Sequence, residues 1–169
     1  MSFEEIRDLL TDKLGAAVVV REDNTAVQPQ LVVARENLIK VCQELYSNEK
    51  TYFDYLSCIT GLDNGPEKGT VEVIYNLYSI PYNHHFVLKV EIQRGEVKNT
   101  EPFELKIPTV TGIWRTADWH EREIYDMFGV VFEGHRDLRR ILLPADWEGF
   151  PLRKDYQQQE YYHGIKVKY

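Results

Sequence analysis

The sequence predicts an α+β fold in which helices pack on a mostly antiparallel sheet, followed by an extended, irregular C-terminal arm. Three observations indicate this fold: two early segments carry apolar residues at helical spacing, the middle of the chain alternates apolar and polar residues, and residues 138–156 contain two prolines. Proline prevents a single helix from crossing that last segment. We expect an α+β domain over residues 1–134 and the arm over residues 135–169.

The first half of the chain is predicted to hold two amphipathic helices, over residues 3–14 and 34–48, since their apolar residues fall on one helical stripe. Between them, runs of apolar residues favour short strands at residues 16–21 and 31–34. A polar turn at residues 22–25 separates the two strands.

Three longer strands are predicted next, at residues 51–63, 70–80 and 84–93, because β-branched and aromatic residues recur in each of them. The segments 61–69 and 81–83 are rich in glycine, proline and asparagine, which is typical of turns. Consecutive strands joined by such turns pair as antiparallel neighbours. A turn around Gly95 and a loop through Pro102 and Pro108 then lead to a third helix.

Charge and composition narrow the class of protein. The net charge of the whole chain is −7. Residues 135–169 contain seven Lys and Arg against five Asp and Glu, a net charge of +2, so the rest of the chain carries a net charge of −9. An acidic body argues against a nucleic-acid partner. No apolar run approaches the ~20 residues of a membrane helix, and the acidic N-terminal segment does not resemble a secretion signal, so we expect a cytoplasmic protein.

The third helix is predicted over residues 117–128, where apolar residues again recur at helical spacing. Asp118 can cap its start, with Glu121 three residues later completing an arrangement like a capping box. Gly129 can end the helix. We therefore expect an acidic helix that closes the α+β domain.

The charged residues of this helix allow two interpretations. Glu123 and Asp126 lie three apart on one face, as a general acid and base would. Alternatively, Glu121, Arg122, Glu123 and Asp126 form a structural charged face on which Arg122 pairs with Asp126, four residues away. We favour the structural interpretation, because charged helix faces are common and catalytic pairs are rare.

Metal and cofactor motifs are incomplete in this sequence. His120 and Glu121 begin an H-E-x-x-H pattern, but Ile124 stands where the second histidine is needed. His84 and His85 point to opposite faces of a strand, so they are poorly placed to hold one metal ion. The cysteines at positions 42 and 58 form no C-x-x-C pair, which argues against an iron–sulfur or zinc site built from cysteines and favours two reduced, mostly buried thiols.

The segment from Glu121 to Leu142 reads E-R-E-x-x-D-M-F, six further residues, then H-x-x-x-R-x-I-L. At each specified position it resembles the signature of the NuoC/NdhJ family, the C subunit of the proton-pumping NADH:quinone oxidoreductase, respiratory complex I. The family's following G-x-P-L-R-K-D is matched from Gly149 to Asp155. Arg136 stands where the family usually has proline, and Phe150 where it usually has histidine.

The resemblance implies an α+β component of the peripheral arm of the complex that carries no cofactor of its own. It implies two partners, the quinone-site large subunit (the D subunit) and the subunit with the terminal iron–sulfur cluster. NADH, FMN, iron–sulfur clusters and quinone are then expected in the complex as a whole. The resemblance also implies the cytoplasmic face of the inner or plasma membrane, with membrane contact only through the complex.

In this interpretation the arm docks onto a partner. Aromatic residues such as Trp147 and Phe150 would be anchors, and Arg139, Arg140 and Arg153 would bind partner carboxylates or carbonyls. We then expect Arg139→Ala and Arg153→Ala to weaken assembly more than folding. The expected interface, with no catalytic, cofactor or metal residue, comprises Glu121, Arg122, Glu123, Asp126, His135, Arg139, Arg140, Trp147, Phe150, Arg153, Lys154 and Asp155.

Two alternatives remain open at this point. The chain could be the equivalent subunit of a membrane-bound [NiFe] hydrogenase or of a ferredoxin-dependent complex, since those enzymes carry a related module. It could also be a stand-alone hydrolase or lyase that uses Glu123 and Asp126.

Overall fold

The computed structural model describes residues 1–94 and 105–168. Within these ranges the chain forms three α-helices: α1 (Phe3–Leu14), α2 (Leu38–Ser47) and α3 (Ala117–Phe128). The longer strands are β1 (Val19–Asp23), β2 (Gln30–Val33), β3 (Tyr55–Asp63), β4 (Thr70–Ser79) and β5 (His84–Gln93). Short strands complete the described chain: β6 (Lys106–Pro108), β7 (Val131–Glu133), β8 (Tyr161–Tyr162) and β9 (Ile165–Lys166).

The five longer strands form one sheet in the order β1-β2-β5-β4-β3. Three of its four strand pairs are antiparallel, and the pair β2–β5 is parallel. A parallel pair needs a long crossover connection, which α2, β3 and β4 supply. The prediction of an α+β fold with a mostly antiparallel sheet is therefore confirmed.

One face of the sheet carries the helices. In β4 every second residue is buried, and Val71, Val73, Tyr75 and Leu77 belong to the same apolar core as residues from all three helices. Helix α3 lies close to β3, since a Cβ atom added to Gly61 would stand 2.7 Å from the ring of Phe128. This close approach explains the glycine within the strand.

Several element boundaries differ from the predicted ones. Residues 16–18 form a 3-10 turn, so β1 starts at Val19 and extends to Asp23, into the expected turn. Strand β3 starts at Tyr55, because Thr51 and Phe53 instead hydrogen-bond to the carbonyl of Leu45 near the end of α2.

The expected loop at Pro108 is in part a strand, since β6 pairs in parallel with β7. The turn around Gly95 and the loop at Pro102 lie outside the described residues. No helix in residues 1–94 or 105–168 is long and apolar enough to cross a membrane.

The arm is irregular, as predicted, but it does not extend away from the domain. From residue 135 to 160 it consists of turns and bends, followed by the small hairpin of β8 and β9. Phe150 and Arg153 are buried, with relative exposures of 4% and 3%. The amide of Leu152 donates to the carbonyl of Met127 in α3, 3.1 Å away. The first two-thirds of the arm therefore packs onto α3.

Candidate docking site at the root of the arm

Asp126 organises the junction between α3 and the arm. Its Oδ2 atom accepts hydrogen bonds from the amides of Ile141, Leu142 and Leu143 at 3.0, 2.7 and 3.0 Å, and its Oδ1 atom lies 2.7 Å from Nη1 of Arg140. Burial raises the pKa of this carboxyl, but the hydrogen bonds from Arg140 and the three amides outweigh burial and hold the pKa below its ordinary value. Asp126 is thus a charged anchor for the chain that follows β7.

Arg140 links three parts of the arm. Besides Asp126, its guanidinium donates to the carbonyls of Trp147 and Gly149 at 3.1 and 2.9 Å. The guanidinium carbon also lies 5.1 Å from the ring centre of Phe150. These contacts close the segment from residue 140 to 150 into a compact loop.

Arg153 also lies against this phenyl ring, 4.7 Å from its centre. Its Nε atom donates to the carbonyl of Phe128 at the end of α3, at 2.6 Å. Burial, with the nearby Arg94 charge, lowers the pKa of the Arg153 guanidinium. Phe150 therefore contacts two arginines, and a Cβ atom on Gly129 would come within 2.8 Å of both Phe150 and Arg153.

A carboxylate at the end of the sheet holds the next part of the arm. Asp63 of β3 accepts a hydrogen bond from the amide of Lys154 at 2.7 Å, and its second oxygen accepts from the amide of Gly65 at 3.0 Å. Arg94, itself 3% exposed, lies 3.5 Å from Asp63 and forms an ion pair with Asp155. Lys154 and Asp155 of the signature are therefore bonded to the end of the sheet of their own chain.

Glu121 is buried on the inner side of α3. One carboxylate oxygen accepts from the amide of Val110 at 2.7 Å and the other from the hydroxyl of Thr109 at 2.5 Å. Burial raises the pKa of Glu121 to about 7, although both hydrogen bonds oppose this change. Glu121 therefore holds the segment after β6 against the helix.

Two further signature residues hold the chain that leaves β7. The His135 side chain is enclosed, and its Nδ1 accepts from the amide of Asp137 at 3.1 Å. Its Nε2 atom therefore carries the proton and donates to the carbonyl of Asp118 at 3.2 Å. Arg122 donates to the carbonyl of Arg139 at 3.4 Å.

A set of exposed side chains surrounds these buried contacts. Glu123 and Lys154 are exposed, and 72% of the Arg139 side chain is accessible, with Asp137 3.0 Å from its Nε atom. Trp147 is half-buried, its ring centre lies 5.2 Å from that of Tyr162 with the two rings tilted by 46°, and its indole nitrogen donates to the hydroxyl of Tyr156. The large apolar side chains exposed on α3 and the arm include Trp119, Leu142, Leu152, Tyr161 and Ile165.

Three predictions about α3 are wrong. The residue before the helix is Thr116, so Asp118 lies in the first turn and the arrangement with Glu121 is not a capping box. Arg122 does not pair with Asp126, which bonds to Arg140, 14 residues away. The four charged residues do not form one charged face, because Glu121, Arg122 and Asp126 are buried and Glu123 is exposed.

These positions also separate the hypothetical acid–base pair. Glu123 is exposed, whereas Asp126 is fully enclosed and both of its oxygens accept hydrogen bonds. The alternative of a hydrolase or lyase built on these two carboxylates therefore has no shared pocket. Among the described residues, no three His, Cys, Asp or Glu side chains group as a metal-binding cluster.

Sequence reasoning missed the partners that hold the signature. Asp63, Arg94 and Thr109 all bond to signature residues, yet none of them belongs to a recognisable motif. The one available signal was Asp63 itself, a carboxylate at the buried end of an apolar strand.

The chain shares its sequence with a known family. A model of the respiratory-chain NADH dehydrogenase 30 Kd subunit matches residues 31–162. The NADH-quinone oxidoreductase C subunit of Chlorobium phaeobacteroides is 41% identical over 163 residues, which cover 96% of this chain and 93% of that protein. The C subunit of Chloroherpeton thalassium is 42% identical over 163 residues, 95% of this chain but 63% of its own length.

Two further relatives are informative. The NADH-quinone oxidoreductase C/D subunit of Azotobacter vinelandii is 39% identical over 154 residues, which cover 87% of this chain and 24% of that protein. Among solved structures, a chain of the membrane-bound sulfane sulfur reductase, an archaeal respiratory membrane complex, aligns with a TM-score of 0.68 and 26% identity. This alignment covers 91% of the present chain and 85% of the other.

The resemblance first seen in residues 121–155 thus extends over most of the chain. The family model spans most of the sheet and most of the arm, and the relatives match at about 40% identity over most of the sequence. The chain belongs to the family of the 30 Kd subunit of respiratory-chain NADH dehydrogenase.

Proposed function

We propose that this chain is a cofactor-free component of the peripheral arm of a proton-translocating NADH:quinone oxidoreductase. In this role it holds the quinone-site large subunit next to the subunit with the terminal iron–sulfur cluster. The observation that carries the proposal is the match to a NADH-quinone oxidoreductase relative over 93% of that protein's length. The chain would sit on the cytoplasmic face of the membrane and contact the membrane only through the complex.

The proposal that the quinone-site large subunit is a partner has independent support. The Azotobacter relative carries the C and D designations in one name, and the present sequence matches only 24% of it. Proteins fused in one organism are commonly neighbours in an assembly where they are separate chains. We propose that the arm faces the quinone-site large subunit, because the arm joins buried anchors to exposed apolar side chains.

The geometry supports a scaffolding role over catalysis. Glu121, Asp126 and Asp63 are each used in hydrogen bonds within the chain, so they hold the arm and the segment after β6 in position. NADH, FMN, iron–sulfur clusters and quinone would then bind to other subunits. This chain would contribute to electron transfer by fixing the distance between those subunits.

The equivalent subunit of a membrane-bound hydrogenase or of a ferredoxin-dependent complex is less well supported. Identity is 41–42% with the two quinone oxidoreductase proteins and 26% with the sulfane sulfur reductase chain. The higher identity favours the quinone enzyme.

Purification of the complex through a tag on this chain tests the proposal. We expect the quinone-site large subunit and the terminal cluster subunit to be recovered together, with NADH:quinone reductase activity in the purified material. Leu142→Asp combined with Leu152→Asp should greatly reduce recovery of the large subunit, because both side chains are exposed on the arm. Leu62→Asp, on the exposed part of β3, is the matched control. Recovery of a hydrogenase large subunit instead, or equal losses with the control, would contradict the proposal.

A further inference from the structure

The end of the sheet opposite to Asp63 carries a group of exposed aromatic side chains. Strand β3 is nine residues long, so its first residue lies roughly 27 Å from the end that holds the arm. We call this surface the tyrosine end; its exposed members are Tyr46, Tyr52, Tyr55, Ile80 and Tyr82. Tyrosine is enriched at protein interfaces, and exposed apolar groups of this kind mark interaction sites.

The tyrosine end is a continuous and well-fixed surface. Three hydrogen bonds join the segment before β3 to the turn before β5 and the start of β5. The hydroxyl of Tyr82 donates to the carbonyl of Glu49 at 2.5 Å, and the amide of Ile80 donates to the Asp54 carboxylate at 2.9 Å. The Nε2 atom of His84 lies 3.0 Å from the carbonyl of Thr51. Rings also meet across the surface, at 6.3 Å between Tyr46 and Tyr52 and at 5.8 Å between Tyr82 and His84. Such rigidity lowers the entropy lost on docking.

Tyr52 gives the strongest indication that the rings are used. Its φ angle is +37°, in the left-handed region that glycine and asparagine enter at low cost and bulky residues avoid. The residue is also 42% exposed, so the ring is not retained to fill the core. A strained, exposed aromatic residue is typical of a functional surface.

The charges beside the tyrosine end indicate what binds there. Tyr82 also lines a groove of about 1150 Å³ that runs between α1 and α2. Five carboxylates line the groove together with Lys13, Lys50 and the amino group of Met1. The carboxylates are Glu5, Asp8, Asp12, Glu44 and Glu49. Asp8 pairs with Arg7 and Glu44 lies 3.8 Å from Lys13, so Glu5, Asp12 and Glu49 supply most of the negative charge open to a partner. A cationic segment would gain from these charges, and its arginine or lysine side chains would stack on the tyrosine rings.

We propose that the tyrosine end and this acidic groove bind an arginine- or lysine-rich segment of a neighbouring protein subunit. The site is distinct from the arm and lies at the opposite end of the sheet. The chain would therefore bridge two neighbours, with the arm on one side and the tyrosine end on the other. This inference rests on the proposed function, in which the chain joins two subunits, and adds the surface that binds the second neighbour and the charge of the segment bound there.

Three variants of the full chain test this site in the assembled complex. Tyr52→Asn removes the ring and keeps a residue that tolerates positive φ, and Glu49→Lys reverses one charge of the groove. Glu67→Lys makes the same charge change in the exposed turn between β3 and β4, at the other end of the sheet.

We expect the first two variants to lower retention of one neighbouring subunit about tenfold after a salt wash, and Glu67→Lys to leave retention unchanged. Unchanged retention with all three, or equal losses with all three, would overturn the proposal.

A photoreactive benzoyl-phenylalanine in place of Tyr52 identifies the occupant in the same complex. Cross-linking followed by mass spectrometry should join position 52 to a peptide of another subunit whose net charge is positive. A cross-link to a second copy of this chain, to a neutral or acidic peptide, or to nothing would overturn the proposal. Loss of the quinone-site large subunit with the Leu142 and Leu152 variants is a separate result, so the proposed function and this site can fail independently.

Discussion

At the scale of single residues, Asp126 is the signature residue at which we expect an isosteric change to destabilise the chain. It is fully buried, and its side chain accepts from one guanidinium and three amides of the arm. We expect Asp126→Asn to lower the free energy of unfolding by about 3–5 kcal/mol, since it leaves the largely enclosed Arg140 side chain, 13% exposed, without its anion and places an amide donor against other donors. Urea denaturation of the purified chain measures this change.

The control for Asp126 lies three residues earlier on the same helix. Glu123 is exposed, so Glu123→Gln should change the free energy of unfolding by no more than about 0.5 kcal/mol. Equal effects of the two substitutions would mean that the buried contacts of Asp126 add nothing to stability.

Glu121 should make stability depend on pH near neutrality. Its pKa is about 7 in the folded chain and 4.5 ordinarily, so the folded state binds this proton more tightly. The stabilising contribution is therefore complete below pH 4.5 and is lost as the pH rises through 7. Because one pKa unit corresponds to about 1.4 kcal/mol, the loss amounts to roughly 3 kcal/mol.

Glu121→Gln should remove this contribution and keep the hydrogen bonds to the segment after β6, since an amide can accept from Val110 and donate to Thr109. We expect the variant to be more stable than the natural chain at pH 8 and to show a flatter stability profile between about pH 5 and 8. Thermal melts at a series of pH values test this, with Glu123→Gln again as control. Parallel profiles for all three proteins would contradict the assignment.

At the scale of elements, the sequence predicted those features that local periodicity determines. All three helices and the long antiparallel strands follow from apolar spacing, and Gly129 ends α3 with a φ of +74°, as a left-handed cap requires. The pairing of Arg122 with Asp126 failed because helical spacing describes neighbours on one helix only. A carboxylate buried against another segment instead takes partners from that segment, here 14 to 17 residues away.

The contact between α3 and β3 provides a test at this scale. A methyl group on Gly61 would stand 2.7 Å from the ring of Phe128 and 3.4 Å from a methyl of Ile124, so it would push the helix away from the sheet. We expect Gly61→Ala to destabilise the chain by about 1–3 kcal/mol, measured by thermal or urea unfolding.

Gly112 is the matched control, because a Cβ atom added there meets nothing within 4 Å and its φ is not positive. Gly112→Ala should be neutral or slightly stabilising, as it reduces the freedom of the unfolded chain. If both alanine variants unfolded alike, the spacing between α3 and β3 would be adaptable and Gly61 would not be required.

At the scale of the whole molecule, the arm is both part of the core and a candidate surface for partners. From the sequence, Arg139, Arg140 and Arg153 were expected at a partner, because a segment that is neither helix nor strand gives no sign of where it packs. In the structure Arg153 is 3% exposed and bonded to α3, whereas 72% of the Arg139 side chain is accessible. The expectation that both arginines serve assembly more than folding therefore has a different outcome for each residue. Docking by Arg139 stays a prediction, whereas Arg153 is part of the core.

The two arginines should separate folding from assembly. Arg153→Ala removes the bond to the carbonyl of Phe128 and one of the two arginine contacts with Phe150, so residues 150–168 should detach from the domain. We expect trypsin to cut this variant in the arm at least about tenfold faster than the natural chain, and the free energy of unfolding to fall by about 2–4 kcal/mol.

Arg139→Ala should leave both measurements unchanged and lower the recovery of partner subunits instead, because its largely exposed guanidinium bonds to the nearby Asp137. Rapid cleavage of Arg139→Ala, or normal resistance of Arg153→Ala to trypsin, would mean that contacts other than those of Arg153 hold the arm. The next contacts to test are those of Asp63 with Lys154 and of Arg94 with Asp155.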